Sequence, residues 1–142
     1  KCHGALYNMS TDDEGLSDAM ARAVKDLGGD LILYALSNSL TMEVAKRHGL
    51  RVAGECFADR GYTDAGTLAP RGAPGAMIED QAKAVEQALG MIEQGAVTSL
   101  SGKRVPVSPD TLCLHGDQPG AVAFAQALRA AFAQRGIALK AP

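Results

Sequence analysis

Apolar positions along the chain change their spacing several times, and each change marks an element. Leu16, Met20, Ala23, Val24 and Leu27 share one helical face, Asp12 or Asp13 can cap its start and Gly28-Gly29 stops it, which predicts a helix over 12–27. Residues 31–36 are apolar throughout, Tyr34 included, as expected of a strand covered on both faces. Ser39 or Thr41 can then cap a short helix that runs through His48 and ends at Gly49, before a second strand over 51–57. Ala82, Val85, Leu89 and Ile92 place a helix over 79–95, ended by Gly95. A Ser/Gly/Pro-containing stretch leads to a strand over 111–115, a helix over 120–135 with Phe124, Leu128 and Phe132 aligned, and a last strand over 137–139.

With residues 1–4 read as the end of a strand, the order is β-α-β-α-β-loop-α-β-α-β. Strands alternating with helices imply an α/β fold with parallel strands, open or closed into a barrel. The pattern lapses once. From Ala58 to Ala76 there are 19 residues with four glycines, two prolines and the cations Arg60 and Arg71. Loops beyond about 12–15 residues are uncommon in compact domains unless they bind or cover something. This one follows a buried strand and carries its own cations, so it is expected to cover a substrate.

Composition narrows the field. The 142 residues suit one domain, 46% hydrophobic and 21% charged, with a net charge of −2 and no basic or acidic run. No nucleic acid or membrane partner is indicated, since no apolar run approaches the roughly 18 residues a spanning helix needs. Three well-separated cysteines, Cys2, Cys56 and Cys113, fit buried small hydrophobes in a reducing cytoplasm better than a disulfide framework. The chain opens at Lys1-Cys2-His3-Gly4, without an initiator methionine, and is expected to be the C-terminal part of a longer protein.

In parallel α/β architectures, functional groups collect where strands run out into loops. Those ends supply Lys1, His3, Tyr7 and Asn8; then Ser37 and Asn38; then Glu55, Asp59, Arg60 and Tyr62, with Arg71 further on; then His115 and Asp117. His48 belongs to a helix end and is left out. Plainer readings exist: Asp117 can cap the helix that Pro119 begins, and His115 can be a hydrogen-bonded strand-end histidine. Neither a GxxxxGK[ST] phosphate loop nor an HExxH zinc motif is present.

Three blocks, "KCHGALYN", "FADRGYTDAGTLAPRGAPGAMIED" and "CLHGD", resemble signature blocks of the LamB/YcsF family, and the likeness runs from Lys1 to the closing "GIALKAP". The first block departs from the family's Lys-Pro-His-Gly, with Cys2 in place of proline. The family's N-terminal region, with its Asp/Asn/Glu-rich strand and a His-containing block, is not in the sequence. The resemblance implies an irregular seven-stranded (β/α) barrel of the glycoside hydrolase and deacetylase type, of which residues 1–142 would form the C-terminal part. It also implies ATP-dependent cleavage of 5-oxo-L-proline to L-glutamate, giving ADP and phosphate, together with two further 5-oxoprolinase subunits, B and C. A five-membered lactam is a poor electrophile with a poor leaving group, and phosphorylating its oxygen would let water attack. Such a site needs cations or backbone donors for phosphate, a base for water and an acid for nitrogen.

Residue type and placement then nominate His3, Asp59 and His115 for proton transfer. Lys1, Asn8, Arg60, Tyr62 and Arg71 are nominated for phosphate or substrate, with Gly72 and Gly75 letting the backbone lie close over the ligand. ATP, with Mg2+ expected, is the implied cosubstrate, and His3, His115 and Asp117 could instead bind a divalent metal. Two rival readings stand beside this one: a metal-dependent amidase or deacetylase, and a non-catalytic substrate-binding subunit.

Overall fold

The computed structural model describes residues 1–116 and 120–141. In chain order the elements are α1 (Gly4–Met9), α2 (Glu14–Leu27), β1 (Ile32–Leu36), α3 (Leu40–Arg47), β2 (Arg51–Phe57), α4 (Gln81–Gln94), β3 (Ala96–Thr98), β4 (Arg104–Pro106), β5 (Thr111–Cys113) and α5 (Ala121–Gln134). Local chemistry explains most boundaries. Asp13 caps α2 by accepting from the Leu16 N–H, Ser39 caps α3 and Asp80 caps α4. Gly95 ends α4 in the left-handed conformation that glycine adopts without strain.

β1, β2 and β5 form a parallel sheet in the order β1-β2-β5, with β2 in the middle, while β3 and β4 form a separate antiparallel hairpin. The described strands do not close a barrel. Leu33, Ala21, Val44 and Ala45 make one core with α2 and α3. Ala58, Ala88, Leu128 and Phe132 make another with α4 and α5, and Tyr7, Leu36, Cys56, Phe57, Tyr62 and Met91 belong to a third. Gly54 lets β2 pass close to the 108–110 segment: a Cβ there would stand 2.7 Å from the Ser108 carbonyl oxygen.

Three sequence expectations need correction. Residues 1–4 are not the end of a strand, because Gly4, at φ +61, opens the short helix α1. Residues 137–139 are not a strand either: the Ile137 N–H donates to the Phe132 carbonyl at 2.9 Å, and Ile137 packs against the α4–α5 core. The β3–β4 hairpin lies outside the expected order, since three-residue strands are too short to show a period. Tyr34 is half-buried, less enclosed than a core residue.

The 58–76 segment is not a structureless loop. Isolated bridges join Arg60 to Met77 and Tyr62 to Leu68, and Gly61 N–H donates to Ala76 O while Ala69 N–H donates to Gly61 O. Gln87 of α4 reaches the carbonyls of Phe57, Ala58 and Arg60 at 3.1, 3.0 and 2.9 Å. The segment is therefore folded onto the domain along most of its length.

Candidate active site

The C-terminal ends of β2 and β5 open into a cavity of about 810 Å3. Its wall is made by the stretch from Lys1 to Ala5, Tyr7, Asn8, Phe57, Arg60, the stretch from Leu68 to Arg71, and the stretch from Cys113 to Gly116. His3, Arg60, Arg71 and His115, nominated from three separate parts of the sequence, thus border one space.

The central pair is Asp59 with His115. Asp59 follows β2 directly and its side chain is 2% exposed; His115 follows β5, and its Nδ1 lies 2.6 Å from Asp59 Oδ2. The ring stacks on Phe57, centroids 5.9 Å apart. A carboxylate can only accept, so Nδ1 donates, and Nε2 of the neutral ring is the nitrogen with a lone pair to offer. An imidazole held in one tautomer by a buried carboxylate is equipped to take a proton from water or a substrate.

The cations differ in what they can do. Arg71 is exposed at the cavity wall and has no ion-pair partner among the described residues. Arg60 is buried, and its guanidinium donates to the carbonyls of Ala76 at 3.2 Å and Ala69 at 2.7 Å. Burial, then the charge of Arg71, hold its pKa below the usual arginine value. Arg60 therefore braces the 58–76 segment before it serves any ligand. Lys1 Nζ donates to Glu55 Oε1 at 2.5 Å and touches Cys113 Sγ at 3.6 Å. Burial opposes its charge, but the hydrogen bond and charge of Glu55 outweigh that and raise its pKa above the ordinary lysine value.

Other nominated residues fare unevenly. His3 is exposed at the start of α1, makes no capping bond and lines the cavity. Asn8 lines it too, with its amide donating to Gly4 O at 3.1 Å. Tyr62 is fully buried outside the cavity, its hydroxyl accepting the Phe57 N–H at 2.9 Å, so it is a core residue and not a substrate contact. Gly72 and Gly75 do not border the cavity either. The glycine that close approach demands is Gly61, where a Cβ would lie 2.5 Å from the Gly75 carbonyl oxygen.

Asp117 lies outside the described residues, both as a cap and as a metal ligand. Among the described residues no three His, Cys, Asp or Glu side chains are grouped to hold a metal. His3 and His115 alone do not make a complete donor set. Neither Cys56 nor Cys113 is activated: burial raises the Cys56 pKa to about 11, and burial followed by the Glu55 charge raises that of Cys113.

Sequence reasoning placed Glu55 and Tyr7 among the strand-end groups but assigned neither a task. An acidic residue inside a strand whose neighbours are all buried is the signal that singles out Glu55.

The fold and site define an α/β unit with a histidine–carboxylate pair and cations gathered at the C-terminal ends of its parallel strands. Related proteins narrow the class. The whole chain, residues 1–142, matches the LamB/YcsF family, and the protein belongs to it. It is 48% identical over 141 residues to a Bordetella parapertussis protein named as the A component of 5-oxoprolinase, covering 99% of this chain and 56% of that protein. Another protein of that name, from Heliobacterium modesticaldum, is 50% identical over the same shares. Among solved structures, a lactam utilization protein from Thermus thermophilus superposes with a TM-score of 0.87 at 41% identity, covering 99% of this chain and 56% of that one. The chain thus spans about half the length of the relatives it matches.

Proposed function

We propose that this chain forms part of the active site of an ATP-dependent 5-oxoprolinase, which opens 5-oxo-L-proline to L-glutamate. The observation that carries the reading is one cavity bordered by His115, Lys1 and Arg71, with Asp59 hydrogen-bonded behind His115. Membership of the family and the names of the relatives support it. ATP supplies the phosphoryl group that activates the lactam oxygen; water attack with departure of the ring nitrogen leaves an acyl phosphate, and a second water releases phosphate and L-glutamate.

The chain's own residues divide the remaining tasks. Arg71 offers an unpaired guanidinium to a phosphate or to the substrate carboxylate. Lys1, on the wall of the same cavity, supplies a fixed positive donor. His115 Nε2 removes a proton from water as it attacks the ring carbon and, once protonated, can return it to the departing nitrogen, while Asp59 stabilises the imidazolium. His3, exposed at the rim, is the second candidate for proton transfer.

The other 5-oxoprolinase subunits, B and C, are the proposed partners. A cytoplasmic location goes with them, supported by three cysteines that are all free. No described helix is long and apolar enough to cross a membrane. The decisive experiment follows glutamate formation from 5-oxo-L-proline by full-length protein, with and without ATP and the partner subunits. Glutamate is expected with all components present and not without ATP. ATP-independent turnover that a chelator abolishes would favour the metal-dependent amidase instead.

A further inference from the structure

Lys1 and Glu55 meet beneath the cavity wall. Glu55 belongs to β2, the middle strand, and its side chain is 4% exposed. A carboxylate in that place loses most of its hydration, and an apolar pair would fill the space at least as well. What the ion pair adds is a located cation. Lys1 Nζ has Glu55 Oε1 on one side and Cys113 Sγ on another, and it stands 5.5 Å from the Tyr7 ring centroid and 5.6 Å from that of Phe57. Two aromatic faces at that range favour a cation. The Lys1 side chain keeps 20% exposure and lines the cavity, whereas Glu55 does not border it.

A second observation points the same way. Glu55 Oε2 and the Tyr7 hydroxyl are buried without a well-formed hydrogen bond to any described residue. The Tyr7 pKa is raised far above its ordinary value, first by burial and then by the Glu55 charge. The carboxylate gives its one hydrogen bond of full geometry to Lys1, and its other polar contact, with the Tyr7 side chain, falls short of that geometry. A group placed for core stability would be expected to satisfy both oxygens.

We propose that Glu55 is a positioning residue: it fixes the Lys1 ammonium against Tyr7 and Phe57 as a permanently charged donor, aimed at the anionic oxygen that develops on the cavity's substrate. This rests on the lactam-opening reading above for the identity of that oxygen, and it separates two jobs. Lys1 stabilises charge and moves no proton; proton transfer stays with His115 and Asp59.

The test uses full-length protein with its partner subunits, and the variants E55Q, K1M and the double variant. Each single change is expected to lower kcat by about 100-fold, the cost of misplacing a group by about 1 Å. The double variant is expected to be no slower than K1M, because Glu55 has nothing left to position. A double variant slowed by roughly the product, about 10,000-fold, would show that Glu55 acts independently of Lys1 and would overturn the proposal.

A readout without turnover runs in parallel: the titration of the Lys1 amine, followed by NMR after reductive 13C-methylation. In the unmodified sequence the amine is expected to titrate above an ordinary lysine; in E55Q it is expected to fall, since burial is then opposed by Cys113 and the two rings without Glu55. The same titration in both proteins would also overturn the proposal. Should E55Q not fold, E55D carries the same measurements, with partial losses expected and unchanged values counting against. If the wild-type complex makes no glutamate, the oxoprolinase reading fails, while the Lys1 titration still decides the positioning role.

Discussion

His115 has one ring nitrogen bonded to Asp59 and, among the described residues, no partner on the other, so a single substitution tests its assignment. Asp59→Asn keeps the shape but lets the ring adopt the wrong tautomer; kcat is expected to fall about 100- to 1,000-fold with little change in KM, measured by steady-state glutamate release. Arg71→Ala is expected to do the reverse, raising KM for ATP or oxoproline while kcat changes less; unchanged kcat/KM would remove Arg71 from the site. Tyr62→Phe separates core from cavity. It strips the acceptor from the buried Phe57 N–H and should cost about 1–3 kcal/mol of stability in a denaturant titration, leaving KM alone.

The 58–76 segment carries its own predictions as an element. Gly61→Ala drives a methyl against the Gly75 carbonyl and the Leu100 side chain, so the segment must shift; a raised KM and faster amide exchange across 58–76 are expected. A second clamp joins this segment to the β3–β4 turn, where Asp64 Oδ1 accepts from Ser101 at 2.6 Å and Ser99 at 2.5 Å. Those hydrogen bonds, Ser101 first, hold the Asp64 pKa below its ordinary 3.8. The clamp's contribution is thus present above the unfolded value and lost as pH falls through the lower folded one. Amide protection at 63–67 and 99–103 should drop below about pH 4, and Asp64→Asn should show the loose state even at neutral pH.

Across the whole molecule, the parallel α/β order was legible because α2 and α4 have clean helical periods, α3 has a cap and a glycine stop, and β1 is an unbroken apolar run. The hairpin and the fold-back at Ile137 were not, because each depends on a few backbone hydrogen bonds that leave no period. The site was legible where residue type alone speaks: His3, Arg71 and His115 line one cavity, with Asp59 buried behind His115. It was illegible where function depends on which way a side chain turns. Arg60 faces inward to carbonyls, Tyr62 is swallowed by the core, and Glu55 and Tyr7 gain meaning only once Lys1 is seen above them.

Arg60 and Arg71 sit eleven positions apart on the same glycine-rich segment, yet one is sealed among carbonyls and the other stands in water. Dissolved ions shield the second and barely sense the first, with a Debye length of about 10 Å at 0.1 M. Added potassium chloride should therefore weaken the capture of anionic substrates progressively while the wall behind them keeps its shape.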